Sequence, residues 1–226
     1  MSGQQIPPEL PLCDGPKLHM FKFHGSRIHW QERLDDGATS SKGHVFRAVV
    51  RGRTYAIKVF RFFDPAGTEC FWDPLLGKGT PPDTAAYYTD PFYAECRAYG
   101  RIRDTLEKKR KHRVAAAVVP CHGFLFLSPK DQQALERRGI DLRPQDGINF
   151  TPRDVNVDYQ KSAIGGFRAR AIVKDVWSSD SGVHTANLKK ILDDIVSMNA
   201  IGIYNMDIRL DSFCDARIIE KCLMIW

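Results

Sequence analysis

A lysine within a predicted apolar strand is the first residue whose surroundings suggest a role in binding an anion or pairing with a carboxylate. The run from Arg53 to Phe62 is rich in β-branched and aromatic residues, which favours a strand, and its apolar residues fall on both faces. Such a strand is usually covered on both sides, so Lys58 is expected in the interior. Two interpretations follow: a lysine that extends from an edge strand to solvent, or a buried cation that holds a phosphate or a carboxylate.

A glutamate on a predicted helix offers the complementary charge. Asp90 and Pro91 form a typical helix start. The apolar residues that follow recur at helical spacing: Phe92, Cys96, Tyr99, Ile102 and Leu106. Glu95 lies on or beside that apolar face. Because an unpaired buried charge costs roughly 3–5 kcal/mol, we predict an ion pair between Lys58 and Glu95.

Two glycines and an aspartate are further candidate residues. Gly37 and Gly43 bracket a small polar loop between two predicted strands, and Asp207 follows the last strong predicted helix. A carboxylate in the position of Asp207 can also simply brace a turn.

The order of these parts resembles that of a protein kinase: a glycine loop, a strand with Ala-Ile-Lys, a helix with an inward Glu, two strands, a helix and Gly-Ile-x-x-x-Asp. More closely, the chain resembles a family of fungal proteins that form a subunit of the inner-kinetochore Sim-four complex and have a kinase-like fold. The resemblance extends over about residues 18 to 213. The segments that carry it are 18–25, 54–63, 90–101, 121–124, 171–175 and 202–207.

The resemblance implies a role for each matching residue. Lys58 and Glu95 match the kinase strand lysine and its helix glutamate, and Asp207 matches the catalytic-loop aspartate. Ser212 stands where kinases have a metal-binding asparagine, and no Asp-Phe-Gly follows. Without the main magnesium aspartate, the charge of the transferring phosphate is not neutralised. We therefore expect a catalytically inactive protein with no metal site, in which Asp207 is vestigial.

The glycine loop departs from the kinase pattern as well. Gly37 and Gly43 bracket five residues, against the closer G-x-G-x-x-G spacing. If a nucleotide is bound, the residues expected to contact it are Gly37, Gly43, Lys58 and Glu95. The expected cofactor set is none, with ATP and Mg²⁺ as the alternative.

The fold expected from the resemblance is α+β. Residues 1–17 form an irregular arm, and residues 18–177 form a kinase-like N-lobe of antiparallel strands plus one helix, with long inserted loops. Residues 178–226 begin a helical C-lobe that is cut short. Its helix is predicted with a core-facing stripe of Leu188, Ile191, Leu192, Ile195 and Val196.

Two functions are compatible with these features. The first is an inactive kinase-like scaffold in a fungal inner-kinetochore assembly, located at centromeres in the nucleus. Loops 64–88 and 128–168 would contact other kinetochore subunits. The alternative is a cytoplasmic ATP-dependent protein kinase or small-molecule phosphotransferase whose C-terminal half is missing from this gene model. The basic run Lys108–Arg113 indicates either a weak nucleic-acid contact or a solvated helix end.

Composition excludes several other classes. The chain has 226 residues, a net charge of +6 and a hydrophobic fraction of 43%, as in ordinary soluble domains. No apolar run reaches the length of a membrane helix, which is about 18 residues or more. The six cysteines lack metal-site spacing, so we expect core cysteines in a reducing intracellular compartment.

Overall fold

The chain folds as a mixed α+β structure built on a five-stranded antiparallel sheet, which confirms the predicted class. The computed structural model describes residues 17–35, 42–63, 89–109, 114, 116–145, 152–155, 157, 160, 165–178, 180–205, 210–218 and 223–225. The strands are Ile28–Arg33 (β1), Gly43–Val50 (β2), Arg53–Phe60 (β3), Cys121–Phe126 (β4), Arg170–Lys174 (β5), Ile203–Asn205 (β6), Phe213–Cys214 (β7), Arg217–Ile218 (β8) and Leu223–Ile225 (β9). The α-helices of the described residues are Pro91–Lys109 (α1), Pro129–Glu136 (α2) and Leu188–Asn199 (α3).

The large sheet has the strand order β1-β2-β3-β5-β4, and every neighbouring pair is antiparallel. Strands β2 and β3 form a tight hairpin in which Val50 pairs with Arg53. Arg51 and Gly52 occupy the turn with φ angles of 53° and 77°. This left-handed backbone matches the twist of the flanking strands. The turn predicted from Arg-Gly-Arg is therefore confirmed.

Apolar side chains cover both faces of the sheet. The last six residues of β3 are all buried. Tyr55, Ile57 and Val59 join the core cluster on the face that α2 covers. Phe60 joins the cluster on the opposite face, together with α1. Because side chains alternate along a strand, Lys58 points with Phe60 toward α1, and the prediction of a doubly covered strand is confirmed.

Helix α1 carries the apolar face that its spacing predicts. Asp90 Oδ1 accepts a hydrogen bond from the backbone N–H of Phe92 at 2.8 Å, and Pro91 is the first helical residue. The buried members of the predicted face are Phe92, Cys96, Tyr99 and Ile102. Leu106 packs against the same cluster from the last turn. The helix is therefore fixed on the sheet along most of its length.

Helix α3 is turned relative to its predicted orientation. Of the five residues predicted to face the core, Ile191 is buried and Ile195 is partly buried against the α1 cluster. The other three are 51–60% exposed: Leu188, Leu192 and Val196. Met198 takes a buried position instead. The buried residues Ile191, Asp194 and Met198 lie at one edge of the apolar stripe, and periodicity alone did not predict that the polar Asp194 would face the core.

The described residues on both sides of position 178 share one core cluster. Met198 from α3, Phe213 from β7 and Ile218 from β8 pack in the cluster that contains the buried face of α1. Strand β9 lies against α1 as well. The division into an N-lobe and a helical C-lobe stays a prediction, and residues 1–16 of the predicted arm lie outside the described residues.

Gly43→Ala is expected to destabilise the sheet. A Cβ atom at Gly43 would lie 2.4 Å from the Val59 carbonyl oxygen and 3.1 Å from Phe60 Cα, so β2 would have to move away from β3. Overpacking of this kind costs roughly 1–3 kcal/mol, and urea unfolding measures it. The control is Gly25→Ala, because a Cβ atom there meets nothing within 4 Å. Equal unfolding midpoints for the two variants would contradict this prediction.

Candidate functional site

Lys58 lies near the middle of the sheet, on the face that α1 covers. Its strand, β3, lies between β2 and β5, and Lys58 is opposite Ile172 of β5. Its Nζ donates a hydrogen bond to Glu95 Oε1 of α1. Lys58 is 8% exposed and Glu95 is 3% exposed. The predicted ion pair is confirmed, and the buried cation holds a carboxylate rather than extending to solvent.

A second lysine, Lys174, contacts the same carboxylate. It ends strand β5, and its backbone is opposite Ala56, two residues from Lys58 along β3. Lys174 Nζ lies 3.4 Å from Glu95 Oε2, and the residue is 2% exposed. Sequence reasoning did not assign this lysine a role. The available signal was the one used for Lys58, since Lys174 also ends an apolar strand-like run.

Aromatic rings complete the surroundings of the two ammonium groups. Lys58 Nζ lies 4.8 Å from the centroid of the Phe60 ring, and Lys174 Nζ lies 4.9 Å from the centroid of Tyr99. A ring face attracts a cation and excludes water. In this low-dielectric setting an ammonium group interacts strongly with the Glu95 carboxylate, and loss of that carboxylate is costly.

A second buried ion pair joins the other end of β5 to the residue that precedes α1. Arg170, which begins β5, donates to Asp90 Oδ2 beside the first turn of α1. Arg170 is 3% exposed and Asp90 is 1% exposed. The guanidinium carbon lies 5.1 Å from the Phe92 ring centroid and 5.6 Å from that of Tyr93. Two buried pairs therefore fix the position of α1 relative to β5.

Lys58 and Lys174 differ in how much of each side chain is exposed to solvent. The side chain of Lys58 keeps 10% of its surface exposed, whereas that of Lys174 keeps 2%. Of the two, Lys58 is the one that a ligand at the protein surface could approach. Its contact with Glu95, however, already supplies the buried ammonium with the negative charge that it requires.

Of the other candidate residues, the structure describes Gly43 and Ser212. Gly43 lies in β2 opposite Phe60, within a regular strand pair. Ser212 is fully buried. Gly37, Asp207 and the loop 64–88 lie outside the described residues.

Two thiols within the core are poor nucleophiles. Burial raises the pKa of the Cys96 thiol well above its ordinary value. Burial also raises the pKa of Cys214 to about 12, and the nearby carboxylate of Asp215 acts in the same direction. Because the thiolate is the reactive form, both groups behave as small apolar side chains near neutral pH.

The comparison with protein families gives a match across nearly the whole chain. Residues 6–220 match the family described as kinetochore Sim4 complex subunit FTA2. The chain belongs to this family. The resemblance predicted from the aromatic segments is thereby confirmed at the level of the FTA2 family. No curated protein and no solved structure matches the chain.

The described part of the chain offers neither a cluster of metal ligands nor a membrane-spanning helix. Within it, no three His, Cys, Asp or Glu side chains are grouped so that they could bind a metal ion. None of its helices combines the length and apolar character needed to cross a membrane. The basic run Lys108–Arg113 begins at the last two residues of α1 and continues outside the described residues.

Glu95→Gln is expected to destabilise the protein more than Lys58→Met does. Loss of the Glu95 charge affects two buried ammonium groups, whereas Lys58→Met leaves Glu95 beside Lys174. Removing one partner of a buried pair costs roughly 3–5 kcal/mol, and we expect Glu95→Gln to reach at least the lower figure. Urea unfolding of both variants tests the order, with the exposed Lys189→Met as the control. A greater loss for Lys58→Met would contradict a shared carboxylate.

Proposed function

We propose that this protein is a catalytically inactive, kinase-like scaffold that takes part in a kinetochore Sim4-type assembly at centromeres in the nucleus. The observation that carries the kinase-like part of the proposal is the Lys58–Glu95 ion pair between β3 and α1, to which Lys174 adds a second cation. In this arrangement the lysine that corresponds to the kinase phosphate-binding lysine is part of an internal brace. The FTA2 family match supports the kinetochore assignment.

The arrangement of elements supports a kinase-like origin for the first lobe. The sheet contains five antiparallel strands, and a helix that follows the third strand places a glutamate against that strand's lysine. This is the order of parts on which the sequence resemblance rests. Likeness of fold alone does not specify activity, so the activity has to be argued from the site.

Two features of the site support a loss of phosphoryl transfer. Ser212 takes the place of the kinase metal-binding asparagine, and it is fully buried. Gly43 pairs with Phe60 inside the sheet, so this end of the predicted glycine loop is regular strand. Phosphoryl transfer depends on positioned donors and metal ions around the phosphates. A scaffold needs neither, and it gains from a rigid core that positions its surface loops.

Localisation and co-purification test the kinetochore assignment. A fluorescently tagged copy, expressed from its own locus, is expected to form foci at centromeres, and affinity purification is expected to recover other kinetochore subunits. The matched control is the tag expressed alone. A diffuse signal together with no kinetochore subunits in the purified material would contradict the assignment.

Thermal unfolding in the presence of Mg-ATP tests whether the protein binds this nucleotide. We expect an unchanged Tm, whereas a ligand at about 100 times its Kd would add about 2.7 kcal/mol of stability. Lys58→Met is the companion variant, and it is expected to lower Tm equally with and without Mg-ATP. A rise in Tm that Lys58→Met abolishes would contradict the inactive scaffold and favour the phosphotransferase alternative.

A further inference from the structure

A groove lies beside the N-terminal end of α2. It encloses about 1050 Å³ and is bounded by the turn before β1, the end of β4 and the first turns of α2. We call it the α2 groove and define it by Arg27, Ile28, Trp30, Phe126, Lys130 and Arg168, all of which line it.

Three exposed cations of the α2 groove have no ion-pair partner among the described residues: Arg27, Lys130 and Arg168. The acidic residue in its lining is Asp131. Its two carboxylate oxygens accept hydrogen bonds from Trp30 Nε1 at 3.2 Å and from Ser128 Oγ at 2.5 Å. The groove therefore carries an excess of positive charge that the described residues do not neutralise.

Surface arginines elsewhere on the described chain commonly have a carboxylate beside them. The examples are Arg33 with Asp35, Arg53 with Asp175 and Arg143 with Asp141, at distances of 2.7 to 2.9 Å. The exposed cations of the α2 groove, by contrast, have no such carboxylate partner among the described residues. Unpaired cations gathered around a concavity attract an anionic partner and favour its association.

Apolar side chains line the same concavity. Ile28 and Phe126 contribute buried side chains to it, and Trp30 contributes part of its ring. Phe167, next to Arg168 in the sequence, is 59% exposed. Apolar pockets of this kind accept side chains of a peptide. A DNA duplex would offer the cations its phosphates, but it has no apolar side chain to place against Phe126 and Trp30.

We propose that the α2 groove binds an acidic peptide segment of a partner protein, with an apolar side chain of that segment seated against Ile28, Trp30 and Phe126. This inference rests on the proposed scaffold function and specifies the chemistry of one partner. It also narrows the predicted contact surface 128–168 to its two ends, since Lys130 and Arg168 both line the groove.

The test uses the full chain and a displayed library of random peptides of about 12 residues, because the natural segment is unidentified. Selected peptides are expected to be acidic and to contain an apolar residue. Their affinity, measured by fluorescence anisotropy, is expected to fall at least about tenfold in the double variant Arg27→Glu/Arg168→Glu. The control Lys189→Glu/Arg217→Glu makes the same charge change at exposed sites outside the groove, and it is expected to alter affinity less than about twofold.

Ala134→Arg separates binding in the groove from general attraction to a basic protein. Ala134 lines the groove from α2, where arginine is well tolerated. The new side chain adds positive charge but fills the cavity, so we expect peptide affinity to fall about tenfold, whereas a purely electrostatic contact would strengthen. Gln133→Arg is the control, because it adds the same charge to α2 at an exposed residue outside the groove lining, and it is expected to alter affinity less than about twofold.

Several results would overturn the proposal. These are selected peptides without net negative charge, a selection that yields no peptide dependent on the groove, or unchanged binding to Ala134→Arg. A DNA duplex of about 20 base pairs that loses affinity in the groove variants, while peptide binding is retained, would overturn it in favour of DNA.

The groove proposal and the scaffold assignment can fail separately. If centromere localisation holds but peptide binding does not depend on the groove, the groove proposal fails alone. If groove dependence is present and localisation fails, the scaffold assignment fails alone.

Discussion

The carboxylate of Glu95 lies in the core with an ammonium group beside each of its oxygens, and three elements depend on that arrangement. Lys58 brings β3, Lys174 brings β5, and Glu95 itself belongs to α1. The apolar cluster around them excludes water, so each charge must be satisfied from within the protein. The arrangement therefore favours one register of helix on sheet, because a shift by one residue would leave buried charges unpaired.

The pair between Asp90 and Arg170 adds a second constraint on the same interface. Arg170 and Lys174 lie four residues apart on β5, and alternation along a strand places both on the face toward α1. The helix contributes a carboxylate at each corresponding position. Two buried ion pairs therefore constrain how α1 packs on β5.

The charges of the interior and those of the α2 groove differ in kind. Inside, Lys58 and Lys174 share a carboxylate of the chain itself. On the surface, Arg27 and Lys130 line a concavity without an ion-pair partner among the described residues. The first arrangement stabilises the fold. The second leaves exposed cations that the carboxylates of a partner can neutralise. This member of the FTA2 family therefore carries paired lysines in its core and exposed cations in the α2 groove.

Much of the sheet and of α1 followed from local patterns in the sequence. The hairpin at Arg51-Gly52, the cap of α1 at Asp90 and the pairing of Lys58 with Glu95 were all predicted, because each depends on short-range geometry or on the cost of an unpaired buried charge. These rules apply wherever the segments come to lie.

Only the tertiary structure decided that Glu95 serves two lysines, that α3 exposes Leu192, and that Lys130 and Arg168 meet across one groove. Lys174 is far from Glu95 in sequence, and nothing local indicates that β5 lies next to β3. The orientation of α3 depends on what packs against it, and the burial of Asp194 departs from the apolar stripe that periodicity predicts. Composition and spacing determined which residues need partners, and the packing of distant strands and helices determined which partners they received.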